Sequence, residues 1–219
     1  MAHVRNRRDV RVGEVVAVVG GAALLAASWV VVAATKRVPA AEARVFKAVN
    51  DVAAAVWPVV WIPMQTGSFV GSVVVVAGTG VVSRSKRLTW ATLVASQAAY
   101  WTAKEIKQIA ARGRPGDLLA GVQVRERATG LGYLSGHTAV AFALATVIAP
   151  SVPLAWRAPV FGTAGAVAFG RIHGGAHLPL DVAGGIGIGV LFGTLSRWSF
   201  GLGGEGLPAT AGATERGHG

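Results

Sequence analysis

Cysteine is absent from all 219 residues, which excludes disulfides and thiolate metal sites. Acidic residues are scarce, ten against 21 basic ones, and charged side chains make up only 14% of a chain that is 53% hydrophobic. An average soluble domain carries about 25% charged residues, so this balance points to lipid around much of the surface. A formal net charge of +11 would indicate a nucleic-acid partner in a soluble protein. No basic helix with interleaved aromatics occurs, however, and the basic residues fall between apolar runs. There they meet lipid headgroups and orient spans, so the expected partner is a bilayer and no nucleic acid. No internal repeat is visible, and the length suits one domain.

Long apolar runs are what the chain has instead. Val15 to Thr35 carries no charge, and its length of about 21 residues is what a helix needs to cross a bilayer. A cleavable signal peptide is the competing reading, although its apolar region would be unusually long. Lys36 to Pro63 sets Arg44, Lys47 and Asp51 among Val45, Val49, Val52, Val56 and Val59 or Val60 at helical spacing. That pattern predicts one amphipathic helix lying at the interface, with Trp57 and Trp61 at headgroup level. Met64 to Val82 is a second span, closed by the basic run Ser83-Arg84-Ser85-Lys86-Arg87. Leu88 to Ala103 is a third, its helical pattern continuing beyond the membrane to Ala111. After a polar loop from Arg112 to Tyr133, Ser135 opens a fourth span ending near Ala149, before Pro150 and Pro153. Arg157 to Phe169 is a fifth and Asp181 to Leu195 a sixth. Gly184, Gly185, Gly187 and Gly189 read as helix packing, since no Lys-Ser/Thr follows them as in a phosphate loop.

The expected fold is therefore all-α and integral to the membrane, with six transmembrane helices. Residues 1–14 form a cytoplasmic tail, 15–199 the six-span domain and 200–219 a disordered Gly/Ala-rich tail. Six spans place both termini on one side, together with Arg5, Arg7, Arg8, Arg11 and the Arg84-Lys86-Arg87 loop; the positive-inside rule makes that side cytoplasmic.

Three segments break the apolar pattern with reactive residue types: Lys107 to Pro115, Leu134 to His137, and Arg171 to Asp181. The alternation of spans puts all three on one membrane face, opposite the termini. Lys107, Arg114 and Arg171 offer three cationic donors to one anion, and guanidinium forks suit phosphate oxygens. Ser135 and Gly136 sit at a helix N-terminus, where free N–H groups and the dipole favour an anion. Of two histidines beside a phosphate, one can attack phosphorus and the other protonate the leaving oxygen. Pro179 starts a helix, so Asp181 in its first turn can accept a hydrogen bond from His177 and fix its tautomer. His173 reads as a loop residue or as one that supports the reactive residues from behind. Lys104, Arg112, Arg125 and Arg127 read as a solvated or headgroup-facing surface, with Asp117 and Glu126 paired to them.

These segments resemble the signature of the type 2 phosphatidic acid phosphatase (PAP2) superfamily: Lys-x6-Arg-Pro, then Pro-Ser-Gly-His, then Ser-Arg-x5-His-x3-Asp. Lys107, Arg114 and Pro115 match the first part, Ser135, Gly136 and His137 the second, and Arg171, His177 and Asp181 the third. Leu134 stands where the family has Pro, and Gly170 where it has Ser. The resemblance implies a helical bundle of the chloroperoxidase-like kind, here a multi-pass protein of the plasma membrane whose active site faces the extracytoplasmic side. It implies hydrolysis of a lipid phosphate or diphosphate through a phosphohistidine. His177 is then the nucleophile, His137 the acid and Asp181 its orienting partner. Lys107, Arg114, Arg171, Ser135 and Gly136 hold the phosphate, with no metal and no other cofactor. Phosphatidic acid, phosphatidylglycerol phosphate and polyprenyl phosphates all fit that reading. Phosphotransfer to another acceptor, a vanadium haloperoxidase, and a non-enzymatic transporter or scaffold are the alternatives.

Overall fold

The computed structural model describes residues 7–35 and 37–203, the side chains of residues 7–10 excepted. Residues 1–6, Lys36 and residues 204–219, which carry most of the two expected tails, lie outside the described residues. All regular structure within them is helical: α1 Arg7–Ala34, α2 Ala40–Asn50, α3 Trp57–Met64, α4 Phe69–Ser83, α5 Lys86–Ala110, α6 Pro115–Leu118, α7 Gly136–Ile148, α8 Leu154–His173 and α9 Pro179–Ser199. The starts have local causes. Ser68, Ser85 and Ser135 cap α4, α5 and α7 by accepting from Gly71, Leu88 and Thr138 backbone N–H groups. Pro179 occupies the first turn of α9, where its missing N–H costs nothing.

Two expectations change. Residues 36–63 do not form one amphipathic helix, because the chain breaks after Asn50. Its two pieces, Ala40–Asn50 and Ala54–Gly67, are bent by 74°, and Pro58 opens the second helix. The buried stripe of α2 is Glu42, Phe46 and Asn50, at i, i+4 and i+8, while Val45 faces outward. The first helix also begins at Arg7, inside the segment expected to be a tail.

Helices α1, α4, α5, α7, α8 and α9 coincide with the six expected spans. Among the described residues, only Arg11–Ala34 and Pro179–Ser199 are by themselves long and apolar enough to cross a membrane, with the bent pair a third candidate. Helices α4 and α7 are apolar but shorter. With 25 and 20 residues, α5 and α8 have the length, but they carry the charged motif residues Lys107 and Arg171 in their last turns.

Helix α9 packs along α1, α5 and α7. Its glycines permit this. A Cβ at Gly185 would lie 2.6 Å from the Ser135 carbonyl oxygen, and one at Gly189 would lie 2.5 Å from that of Ala139. On the opposite face a Cβ at Gly187 would lie 2.6 Å from the Gly21 carbonyl oxygen in α1. Such close backbone approach is how helices associate where lipid removes the hydrophobic drive. At the end where α1 starts and α9 finishes, Trp198 Nε1 donates to Glu14 at 2.8 Å, and Ser196 Oγ donates to the Ala91 carbonyl of α5 at 2.8 Å.

Candidate active site

The other end of the bundle gathers the last turn of α5, the first turns of α7 and α9, and the last turn of α8. The three reactive segments meet there around a cavity of about 550 Å³. Lys107, Arg114, Gly136, His137, Arg171 and His177 line it, with Gly67, Lys104, Glu126 and Arg127. Ser135 and Asp181 do not. Ser135 is fully buried, its N–H donates to the Asp181 carbonyl at 2.8 Å, and its Oγ accepts from Thr138 Oγ1 at 2.9 Å. The expected Ser135 amide contact to phosphate is thus already committed to holding α7 on α9.

Each cation is tethered. Lys107 Nζ donates to the Leu131 and Gly132 carbonyls, both at 3.1 Å. Arg114 donates through Nε to Gly130 O at 3.0 Å, through Nη2 to Thr129 O at 2.9 Å, and through Nη1 to Ala176 O at 2.8 Å. Arg171 Nη1 donates to the Glu126 carboxylate, while its Nε is buried with no hydrogen-bond partner among the described residues.

The Arg114 contact also assigns the His177 tautomer. Arg114 Nη1 lies 2.9 Å from His177 Nε2. A guanidinium only donates, so Nε2 must carry the lone pair and Nδ1 the proton. That proton faces Asp181: Nδ1 lies 3.5 Å from Oδ2, longer than a hydrogen bond, and Nδ1 has no hydrogen-bond partner among the described residues. The Asp181 carboxylate is held from elsewhere, by Leu178 N–H on Oδ2 at 2.9 Å and Arg112 Nη1 on Oδ1 at 2.8 Å.

Burial, and then the charges of Arg171, Lys107 and Arg114, hold the His177 imidazole well below its ordinary value of 6.5. Between that depressed value and 6.5 the unfolded chain binds a proton that the folded chain refuses. The contribution of His177 to stability is therefore complete above 6.5 and falls as the pH drops through that window. We expect the thermal midpoint of the detergent-solubilised protein to fall between about pH 7 and about pH 5, and to fall less in His177→Gln. Equal falls in the two proteins would assign the acid sensitivity to other groups.

Several polar residues differ from the sequence-based expectation. Arg112 is not a surface cation; it forks onto Glu42 at 2.6 and 3.1 Å and reaches Asp181. Arg125 donates to the Asn50, His173 and Val52 carbonyls. Asp117 accepts from the Arg114 N–H, and Glu126 pairs with Arg171. Lys104 sits 4.9 Å from the Trp101 ring centroid at the cavity wall. His173 is a buried anchor, stacked between Trp57 and Phe169 with Nε2 3.1 Å from Val52 O. Glu42 is a site-supporting residue outside the sequence motifs; its signal in sequence is the i, i+4, i+8 spacing with Phe46 and Asn50. The departure at Gly170 takes nothing from the cavity, since a Cβ there would meet Met64 Sδ at 3.3 Å and Val60 at 3.7 Å in α3. Leu134 is likewise fully buried in the core.

The family model described as the PAP2 superfamily matches residues 88–202. No curated protein matches at a significant level. Among solved structures, LpxE of Aquifex aeolicus superimposes with a TM-score of 0.67 at 24% identity, over 75% of this chain and 99% of that one. A transmembrane PAP2 type phosphatidylglycerolphosphate phosphatase from Bacillus subtilis gives a TM-score of 0.65 at 20% identity, over 80% of this chain and 93% of that one.

Proposed function

The chain belongs to the PAP2 superfamily, and from that membership and the site we propose that it is a membrane phosphatase which hydrolyses a lipid phosphate or diphosphate through a phosphohistidine. The observation that carries the reading is the convergence of three cations and two histidines on one cavity, with the His177 Nε2 lone pair turned toward Arg114. The two similar structures, one of them titled a phosphatidylglycerolphosphate phosphatase, support a lipid substrate.

In this reading Lys107, Arg114 and Arg171 exchange their present partners for the phosphoryl oxygens, with the Gly136 N–H at the start of α7. Their charge stabilises the trigonal transition state. His177 Nε2 attacks phosphorus, and the N–P bond forms as the bond to the lipid oxygen breaks. Protonated His137 gives its proton to that oxygen. Neutral His137 then takes a proton from water, whose oxygen attacks phosphorus; the N–P bond breaks and inorganic phosphate leaves. Asp181 faces the Nδ1–H and balances the positive charge on His177 while the intermediate exists. The site lies at the end opposite Arg84, Lys86, Arg87 and the start of α1; under the positive-inside rule this supports an active site on the extracytoplasmic face.

The test is a phosphate-release screen of the purified protein against phosphatidic acid, phosphatidylglycerol phosphate, and polyprenyl mono- and diphosphates, with His177→Ala as blank. We expect at least one lipid to release phosphate well above the blank. No release from any member of the panel would overturn the reading.

A further inference from the structure

We propose that Glu42 and Arg112 are a positioning pair for the reaction, holding Asp181 in place and leaving its negative charge available to His177. The inference rests on the phosphatase reading for the step it serves. Neither residue is a defining position of the three motifs: Arg112 falls at a variable position of the first, and Glu42 lies outside the matched residues 88–202.

The geometry is that of a built cluster. Arg112 Nη2 and Nη1 donate to the two Glu42 oxygens at 2.6 and 3.1 Å, and Nη1 also donates to Asp181 Oδ1 at 2.8 Å. Glu42 Oε1 accepts a further bond, from the Leu180 N–H in the first turn of α9, at 2.9 Å. Asp181 and Glu42 are buried, with side chains 0% and 4% exposed, and the Arg112 side chain between them is 9% exposed. Glu42 thus fastens both the helix start that carries Asp181 and the guanidinium that grips it, from a separate element, α2.

Charge counting gives the pair its role. A buried carboxylate persists as an anion only with a countercharge. Arg112 alone would supply one, but it would also neutralise Asp181 and leave nothing for His177. With Glu42 present, two carboxylates share one guanidinium, and the cluster keeps one net negative charge. The nearest group able to use it is His177, whose Nδ1 lies 3.5 Å from Asp181 Oδ2. His177 becomes cationic when its Nε2 bonds to phosphorus, so the retained charge acts in the transition state and the intermediate more than in the ground state. Loss of Glu42 should accordingly lower kcat and leave KM nearly unchanged.

Two variants test this in the full-length protein in detergent. Glu42→Gln removes the charge and keeps the shape. Arg112→Lys keeps the charge but loses the fork that spans two carboxylates, and it stands in should the first variant not fold. In each we expect kcat on the best lipid phosphate to fall about tenfold or more, with KM within about twofold of wild type, as for loss of a partner that orients a reacting group. Wild-type kcat in the folded variants, or a rise in KM alone, would overturn the proposal. A second readout does not depend on turnover: the ring 15N shifts of His177 in 15N-histidine-labelled protein. Arg114 keeps Nε2 an acceptor in all three proteins, so we expect the Nδ1-protonated tautomer throughout, with the Nδ1 shift moved in either variant because the charge balance of the carboxylate facing it has changed. An unchanged Nδ1 shift would also overturn the proposal. If wild type hydrolyses no lipid phosphate and the Nδ1 shift still moves in the variants, the phosphatase reading fails and the positioning pair stands.

Discussion

His177→Ala, purified in detergent, should release phosphate from the lipid substrate about a thousandfold more slowly than wild type, or not at all. The expectation follows from how completely His177 is committed. It is 2% exposed, so it plays no part on the surface. Its Nε2 is the imidazole nitrogen turned to Arg114, inside the ring of cations. The other histidine of the cavity, His137, is carried by a different helix, in the first turn of α7. A residual rate from the three cations alone is expected, because they stabilise the phosphoryl charge without the nucleophile. Wild-type protein quenched in alkali should retain acid-labile phosphate on His177, and His177→Ala should retain none. A variant that eluted as wild type does and kept more than a tenth of its rate would remove His177 as the nucleophile.

Gly189→Val should be strongly damaging although it lies away from the cavity. The added Cβ would lie 2.5 Å from the Ala139 carbonyl oxygen, 2.8 Å from Phe142 Cβ and 3.0 Å from the Ala143 nitrogen. Two of these are backbone atoms of α7, so no side-chain rotation relieves the clash; the helices must separate. Separation also withdraws Ser135, which ties α7 to Asp181, and with it the placement of His137. Overpacking of this kind costs roughly 3 kcal/mol, which corresponds to a fall of about 10 °C in the thermal midpoint for a chain of this size. Gly162→Ala is the matched control, because nothing lies within 4 Å of a Cβ there. A Gly189→Val protein with the stability of wild type would show that α7 and α9 are not in the contact described.

Much of this could be read in sequence, for identifiable reasons. Apolar runs bounded by Ser, Pro and charge located six helices, because in lipid the period and length of such runs are dictated by the solvent. The motif residues were visible because reactive types at helix ends are costly without a purpose. The break after Asn50 was not visible. The valines at 45, 49, 52, 56 and 59 keep helical spacing straight through it, and an outward-facing stripe in lipid looks like an inward-facing stripe in water. For the same reason nothing local in the sequence distinguishes Glu42 from an interfacial acid. Arg112 and Arg125 read in sequence as surface cations because no local rule gives a loop arginine a buried partner 70 residues away; only the packing of α2 against α8 and α9 does that. Ser135 was assigned to phosphate from its helix-start position, and its N–H is instead claimed by Asp181.

The central position of α9 bears on how the protein is made. Ribosomes deliver α1 well before α9, yet these two helices lie against each other. Until α9 enters the bilayer, the backbone patch at Gly21 and the matching face of α7 have only lipid to meet. The candidate site is therefore incomplete without α9, which supplies Asp181 and the surface on which α1 and α7 pack; a chain truncated before Pro179 would lack both.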